Sequence, residues 1–265
     1  MAQRQRKQRA KKVSRTRKLS KPAREKAPPP VPTLTSLRKE LYSLADPADA
    51  SFLQRFFKTG PGEYGAGDKF LGLRVHGLRR LVREYGELDH NHALEMLASS
   101  WHEERLLALM LLVHQYDRGD TSRRDRIHHT YLGHTRYINN WDLVDASAGQ
   151  IVGSHLEARN IELLERLARS DDIWERRIAI VSTFHFIKQN EFRPTLRIAG
   201  LLLGDRHDLI HKAVGWMLRE VGKRDLAVED AFLKKHYRTM PRTMLRYAIE
   251  RHPEKVRKRY LAGTL

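Results

Sequence analysis

From Leu34 onward apolar residues recur three and four positions apart with polar residues between them, the periodicity of a helix that packs on one face. Residues 36–44, 91–98 and 104–113 carry the pattern most plainly, the last with Leu and Met spread over a wide face. Sustained apolar/polar alternation bounded by Asn-Gly or Asp-Gly turns is not found, so strands are not predicted. The pattern predicts an all-α fold.

Side chains suited to capping a helix N-terminus precede apolar stretches at 99–105, 139–142, 170–177 and 205–209, about 30 to 40 residues apart. Second helices are expected between them, over 161–168 and 195–203. This spacing predicts a curved solenoid of stacked antiparallel helix pairs over residues 33–265. The concave face of such a solenoid suits an extended ligand.

Composition narrows the class of ligand. The chain has 265 residues, 40% of them hydrophobic, and a formal net charge of +18. That is enough apolar material for a core, with an excess of cations that favours a polyanionic partner, nucleic acid ahead of a membrane. Residues 1–27 hold twelve lysines and arginines against Glu25 alone, so eleven of the eighteen net charges fall there and seven remain in the body. Residues 1–32, closed by Pro28, Pro29, Pro30 and Pro32, read as a basic disordered tail, either a sequence-blind phosphate grip or a solubilising extension. With no apolar span and no apolar run behind the first positive residues, the expected setting is the cytoplasm, associated with the nucleoid, with no membrane partner.

Several chemistries drop out. The chain has no cysteine, which excludes disulfides, thiolate catalysis and Cys-based zinc sites. His207 and His211 stand four apart with Asp208 between them but lack an evident third ligand, and His128, His129 and His134 form no metal pattern either. No metal and no cofactor are expected. The glycines of residues 58–72 follow no strand and match no Walker pattern, and a Gly-x-Ser-x-Gly elbow is absent. That segment reads as a mobile connection between helices, with Tyr64 a candidate ligand contact.

Residues 137–145 place a tryptophan and a carboxylate one helical turn apart. Trp141 and Asp145, at i and i+4, share a helix face and can address the same ligand. An acid aimed at a polyanion is unfavourable unless it meets something locally cationic. Asp142 is better placed as a cap. Arg176 and Arg177 fall in the first turn of a helix, where the macrodipole disfavours cations, so Arg177 is a candidate phosphate or carboxylate contact. Gly215 inside a helix costs roughly 1 kcal/mol relative to Ala, which implies close approach of another helix or of a ligand. Trp216 beside it reads as a core residue or a ligand contact, with Lys212 and Arg219 flanking it within reach of phosphates.

Taken together, residues 140–145, 174–180 and 212–220 resemble the bacterial AlkD family of DNA alkylation repair glycosylases, which are built from HEAT-like repeats, and the likeness extends over about residues 34–261. The resemblance implies excision of cationic N3- or N7-alkylated adenine or guanine from double-stranded DNA without full flipping of the base. It implies that Asp145 is the catalytic aspartate, that Trp141 and Trp216 flank the lesion, that Arg177 contacts DNA and that Tyr64 lies near the lesion. The basic extension and the glycine-rich segment are departures. A monomer is expected.

The chemistry is consistent with that constellation. A cationic purine is already a good leaving group and needs no general acid. What remains is to stabilise an oxocarbenium-like sugar and to place a water. Two unit charges about 4 Å apart at an effective dielectric near 20 interact by roughly 4 kcal/mol, worth about 10²- to 10³-fold in rate if most of it appears only in the transition state. Tryptophan faces add about 0.5 to 2 kcal/mol per cation contact. The alternative is a non-catalytic HEAT-like nucleic-acid binder, for which the charge alone would suffice.

Overall fold

The computed structural model describes residues 33–157 and 159–265, so the basic tail expected over residues 1–32 lies outside the described residues. Among the described residues the chain is helical throughout, with no strand and a single isolated bridge between Lys69 and Trp101. α1 (Leu34–Ser43), α2 (Pro47–Phe56) and α3 (Val75–Glu84) lead into α4 (His90–Leu97), α5 (His102–Arg118) and α6 (Thr121–Gly133). Three short helices follow, α7 (Trp141–Asp145), α8 (Ala148–Ile151) and α9 (Glu162–Leu167). Then come α10 (Ile173–Ser182), α11 (Phe184–Lys188), α12 (Arg193–Leu201), α13 (Asp208–Gly222), α14 (Leu226–His236), α15 (Arg242–Ala248) and α16 (Glu254–Ala262).

One row runs α3, α5, α7, α10, α13, α15, each helix packed on the next, and α4, α6, α9, α12 and α14 form a second row against it. The result is the all-α solenoid of stacked helix pairs that the repeat spacing predicts. No described helix is long and apolar enough to cross a membrane.

Capping residues set three of the four helix starts that the sequence marks. Asp172 accepts from the Trp174 amide at 2.7 Å, and Asn140 accepts from the Trp141 amide at 2.8 Å. The segment 99–105 differs: Trp101 occupies the cap of α5 with no side-chain bond to the helix, and Ser99 Oγ accepts from the Trp101 amide instead.

α5 is the most enclosed element. Leu107, Ala108, Leu109, Leu111 and Leu112 are all fully buried, and truncating one such leucine to alanine costs about 2 to 5 kcal/mol. Its first turn is polar yet equally buried, because neighbouring elements give each of these side chains a partner. Glu103 accepts the amides of Leu71, Gly72 and Leu73 at 2.9, 2.8 and 3.1 Å, while Glu104 accepts from Arg38 Nε at 3.0 Å and the Tyr42 hydroxyl at 2.8 Å.

These bonds tie the end of the connection over residues 58–72 to α5. The carboxylate of Glu103 fastens the end of the segment, Lys69 O accepts the His102 amide at 2.8 Å, and Asp68 is buried against Arg105. Gly72 has φ +89°, and a Cβ there would lie 2.0 Å from Asp46 O. Only glycine fits that left-handed, crowded turn.

At the other end of the row, Gly215 answers the question its sequence position raised. A Cβ on it would meet Met244 O at 2.4 Å and Tyr247 Cβ at 2.5 Å. Close approach of α15 to α13 therefore explains the glycine.

Candidate functional site

α7 is five residues long, and its brevity aims its side chains. Leu143 and Val144 are fully buried and fix one face in the core, leaving Trp141, Asp142 and Asp145 half-buried on the other. Trp141 and Asp145 open onto a cleft of about 520 Å³, which Arg177 of α10, Lys212, Trp216 and Arg219 of α13, and Tyr64 of the α2–α3 connection also line. The seven residues singled out in the sequence thus surround one space. Phe56, Tyr247 and the exposed Lys58 complete its wall.

Asp145 is paired, and the carboxylate contact that the sequence offered for Arg177 is the one it makes. Arg177 donates to it from both Nε, 2.9 Å from Oδ1, and Nη2, 2.8 Å from Oδ2. Burial pushes the Asp145 carboxyl above the usual carboxylate range, and the guanidinium pulls against that rise. Of about four lone-pair directions on a carboxylate, Arg177 takes two. The rest remain to orient a water or face a cation.

Arg177 itself is placed differently from a phosphate contact. Its side chain is 6% exposed and its Nη1 donates to Leu209 O at 2.7 Å, so it stands behind the acid. Arg176 pairs with Asp205 at 2.7 Å and caps the carbonyls of Ser170 and Asp171. Both arginines occupy an electrostatically poor helix start because α10 must tie to its neighbours through them.

The aromatic residues are held by their own neighbours. Trp141 stacks on Phe57 with centroids 5.2 Å apart and planes 19° apart, and meets Phe56 edge-on at 6.0 Å. Trp216 is half-buried, leans on Phe184 at 5.9 Å and donates from Nε1 to Glu220 Oε1 at 3.1 Å. It is therefore not a core residue. Tyr64 meets Trp174 edge-on at 6.1 Å, and burial raises its hydroxyl above the ordinary range.

Lys212 pairs with Asp208 at 2.7 Å and keeps 39% of its side chain exposed, so it remains available at the rim. Arg219 is 17% exposed and paired with Glu250. Of the two, the lysine is better placed for a phosphate.

Sequence reasoning missed the groups beneath Asp142. That acid does bond its own helix, accepting the Leu143 amide at 2.9 Å, but it also meets His102 Nε2 at 2.8 Å. Behind His102 lie Asp68 and Arg105. The available signal was a run of four polar residues, 102–105, opening an otherwise apolar helix. Among the described residues no group of three His, Cys, Asp or Glu side chains is arranged to hold a metal ion.

Two indoles lining one cleft with a carboxylate can accommodate a cation, and the carboxylate can hold a water against it. Comparison with known proteins points the same way. Residues 37–252 match the family described as DNA alkylation repair enzyme. The fold is similar to that of a solved structure described as a predicted DNA alkylation repair enzyme from Enterococcus faecalis, with a TM-score of 0.61 at 15% identity, over 79% of this chain and 97% of that one. No match is found among curated proteins.

Proposed function

The chain belongs to the DNA alkylation repair enzyme family, and from that premise we propose that it is a glycosylase which releases cationic N3- or N7-alkylated purines from duplex DNA. The observation that carries this reading is the single cleft in which Trp141, Trp216 and the Arg177-held Asp145 converge. Such a site favours a positively charged nucleotide over neutral ones by its electrostatics, with no closed base pocket required.

In the proposed reaction the bond between C1′ and the purine nitrogen breaks, and its electron pair neutralises the cationic base as it leaves. The sugar acquires oxocarbenium character, which Asp145 and the indole faces stabilise. A water held by Asp145 then bonds to C1′ and yields its proton to the carboxylate or to solvent, leaving an abasic site. Pairing with Arg177 tempers the charge that Asp145 offers, but it fixes the carboxylate before the reaction begins. Lys58 and Lys212 at the rim would meet the phosphates. A cytoplasmic, monomeric enzyme working at the nucleoid fits this substrate.

Incubating purified protein with methylated duplex DNA tests the proposal. Free 7-methylguanine or 3-methyladenine and alkali-labile abasic sites are expected. Salt-sensitive DNA binding without either product would leave a non-catalytic binder.

A further inference from the structure

A chain of buried charge runs beneath the cleft. His102, 1% exposed at the start of α5, has Nε2 2.8 Å from Asp142 Oδ2 and Nδ1 3.2 Å from Asp68 Oδ2. A neutral imidazole carries one N–H and can donate to one of these acids, whereas an imidazolium donates to both. Arg105 ends the chain with Nη2 2.7 Å from Asp68 Oδ1. Two acids and two cations alternate and cancel.

The groups facing His102 from each packed element account for its charge. They are Asp142 of α7, Asp68 of the α2–α3 connection and Arg105 of α5; Glu103 beside it is occupied by the amides of residues 71–73. Burial by itself would lower the histidine's proton affinity, but Asp142 and Asp68 outweigh that and hold it at about 9.

Two lines lead from His102 to the cleft. The first is electrostatic: Asp142 lies three residues before Asp145 on the same short helix, and its negative charge adds to the rise of the Asp145 carboxyl. The second is steric. The imidazole stacks on Phe70 at 4.5 Å and packs on Phe57 at 4.9 Å, and Phe57 is the ring on which Trp141 stacks.

We propose that His102 is a positioning residue for the cleft: as an imidazolium it neutralises Asp142 and ties α7 to Asp68, so that Asp145 keeps its place and Trp141 stays in its stacked pose. The proposal rests on the glycosylase reading of the cleft. It assigns His102 no proton transfer to substrate, since a cationic purine leaves without one. Without its proton His102 can donate to only one of the two acids and leaves Asp142 uncompensated, which loosens α7; without the ring, Phe57 loses its support.

The test measures single-turnover base release from methylated duplex DNA, with the DNA Kd in parallel, for wild type, H102Q, D142N and H102Q/D142N. H102Q is expected to release base about 10- to 100-fold more slowly with Kd within about twofold of wild type. The double variant is expected to release faster than H102Q, because no unpaired carboxylate remains. Across roughly pH 6 to 9.5 the wild-type rate falls as His102 loses its proton near 9, and H102Q lacks that fall. D142N retains His102, Asp68 and Arg105 but removes the carboxylate that the imidazolium neutralises, so it is expected to diminish the alkaline fall even if H102Q proves too unstable to assay. Wild-type release with H102Q at the wild-type rate, or an alkaline fall unmoved by H102Q or D142N, would overturn this proposal alone. Absence of release by wild type would overturn the glycosylase reading and this proposal with it.

Discussion

Arg177 and Asp145, thirty-two residues apart in sequence, meet through two parallel hydrogen bonds of 2.9 and 2.8 Å at the floor of the cleft. The fork of the guanidinium matches both oxygens, so the acid has one orientation. A lysine could supply the charge but not the second bond. Arg177→Lys is therefore expected to lower base release by about tenfold or more, or roughly 1.4 kcal/mol in the barrier. It should also destabilise the fold, by less than the about 3 to 5 kcal/mol of removing one partner of a buried pair outright, because the charge is kept. Chemical denaturation and single-turnover release on the same samples check the two effects, and a variant unchanged in both would remove the pair from the account.

Trp216 presents its ring to the cleft while its Nε1 is committed to Glu220. If the ring's contribution is cation–π attraction, Trp216→Phe keeps part of it and Trp216→Ala loses about 0.5 to 2 kcal/mol, roughly 2- to 30-fold in release. A neutral lesion of the same shape should show a smaller difference between these variants. Equal losses on cationic and neutral lesions would show that the ring acts only by its bulk.

Gly72 is a test of the scaffold that positions Asp68. Its φ of +89° and the Asp46 carbonyl 2.0 Å from any added Cβ leave no room for a side chain. Gly72→Ala should cost about 1 to 3 kcal/mol of stability from backbone strain alone, with the steric clash added to it. Urea denaturation reads this directly; a variant as stable as wild type would mean that the turn can open at little cost.

Glu229 lies 2% exposed on α14 with Oε1 unpartnered, and burial, followed by the charge of Asp230, pushes its carboxyl up to about 8. Its folded value is above its unfolded one, so the folded chain binds the proton more tightly. The cost of burying the carboxylate is therefore absent near pH 4.5, grows as pH rises and is complete above about 8. Glu229→Gln should melt above wild type at pH 8.5 and close to it near pH 4.5. Melting curves that differ equally at both pH values would contradict the burial of an ionisable group there.

The sequence revealed the fold wherever the periodicity was long and the caps local. α4, α5 and α12 lie where the apolar spacing put them, and Asn140 and Asp172 cap the helices they precede. The cleft residues were visible because Trp141 and Asp145 share a face by spacing alone and because Gly215 marked a close approach. What stayed hidden was pairing across the solenoid. Nothing near Arg177 in sequence announces Asp145, and His102 finds Asp68 and Asp142 34 and 40 residues away. A polar first turn on a buried helix reads as a solvated cap until the neighbouring elements are in place. The attachment of the glycine-rich segment was hidden for the same reason, since Glu103, which fastens its end, lies on another helix.

In the proposed reaction Asp145 acts on the leaving nucleotide rather than only holding α10 to α7. Single-turnover release of 7-methylguanine from duplex DNA by Asp145→Asn, beside a direct measurement of its DNA affinity, tests that claim. Release slowed by about 100-fold or more is expected, with affinity within about twofold of wild type. Release at the wild-type rate by the folded variant would contradict that claim.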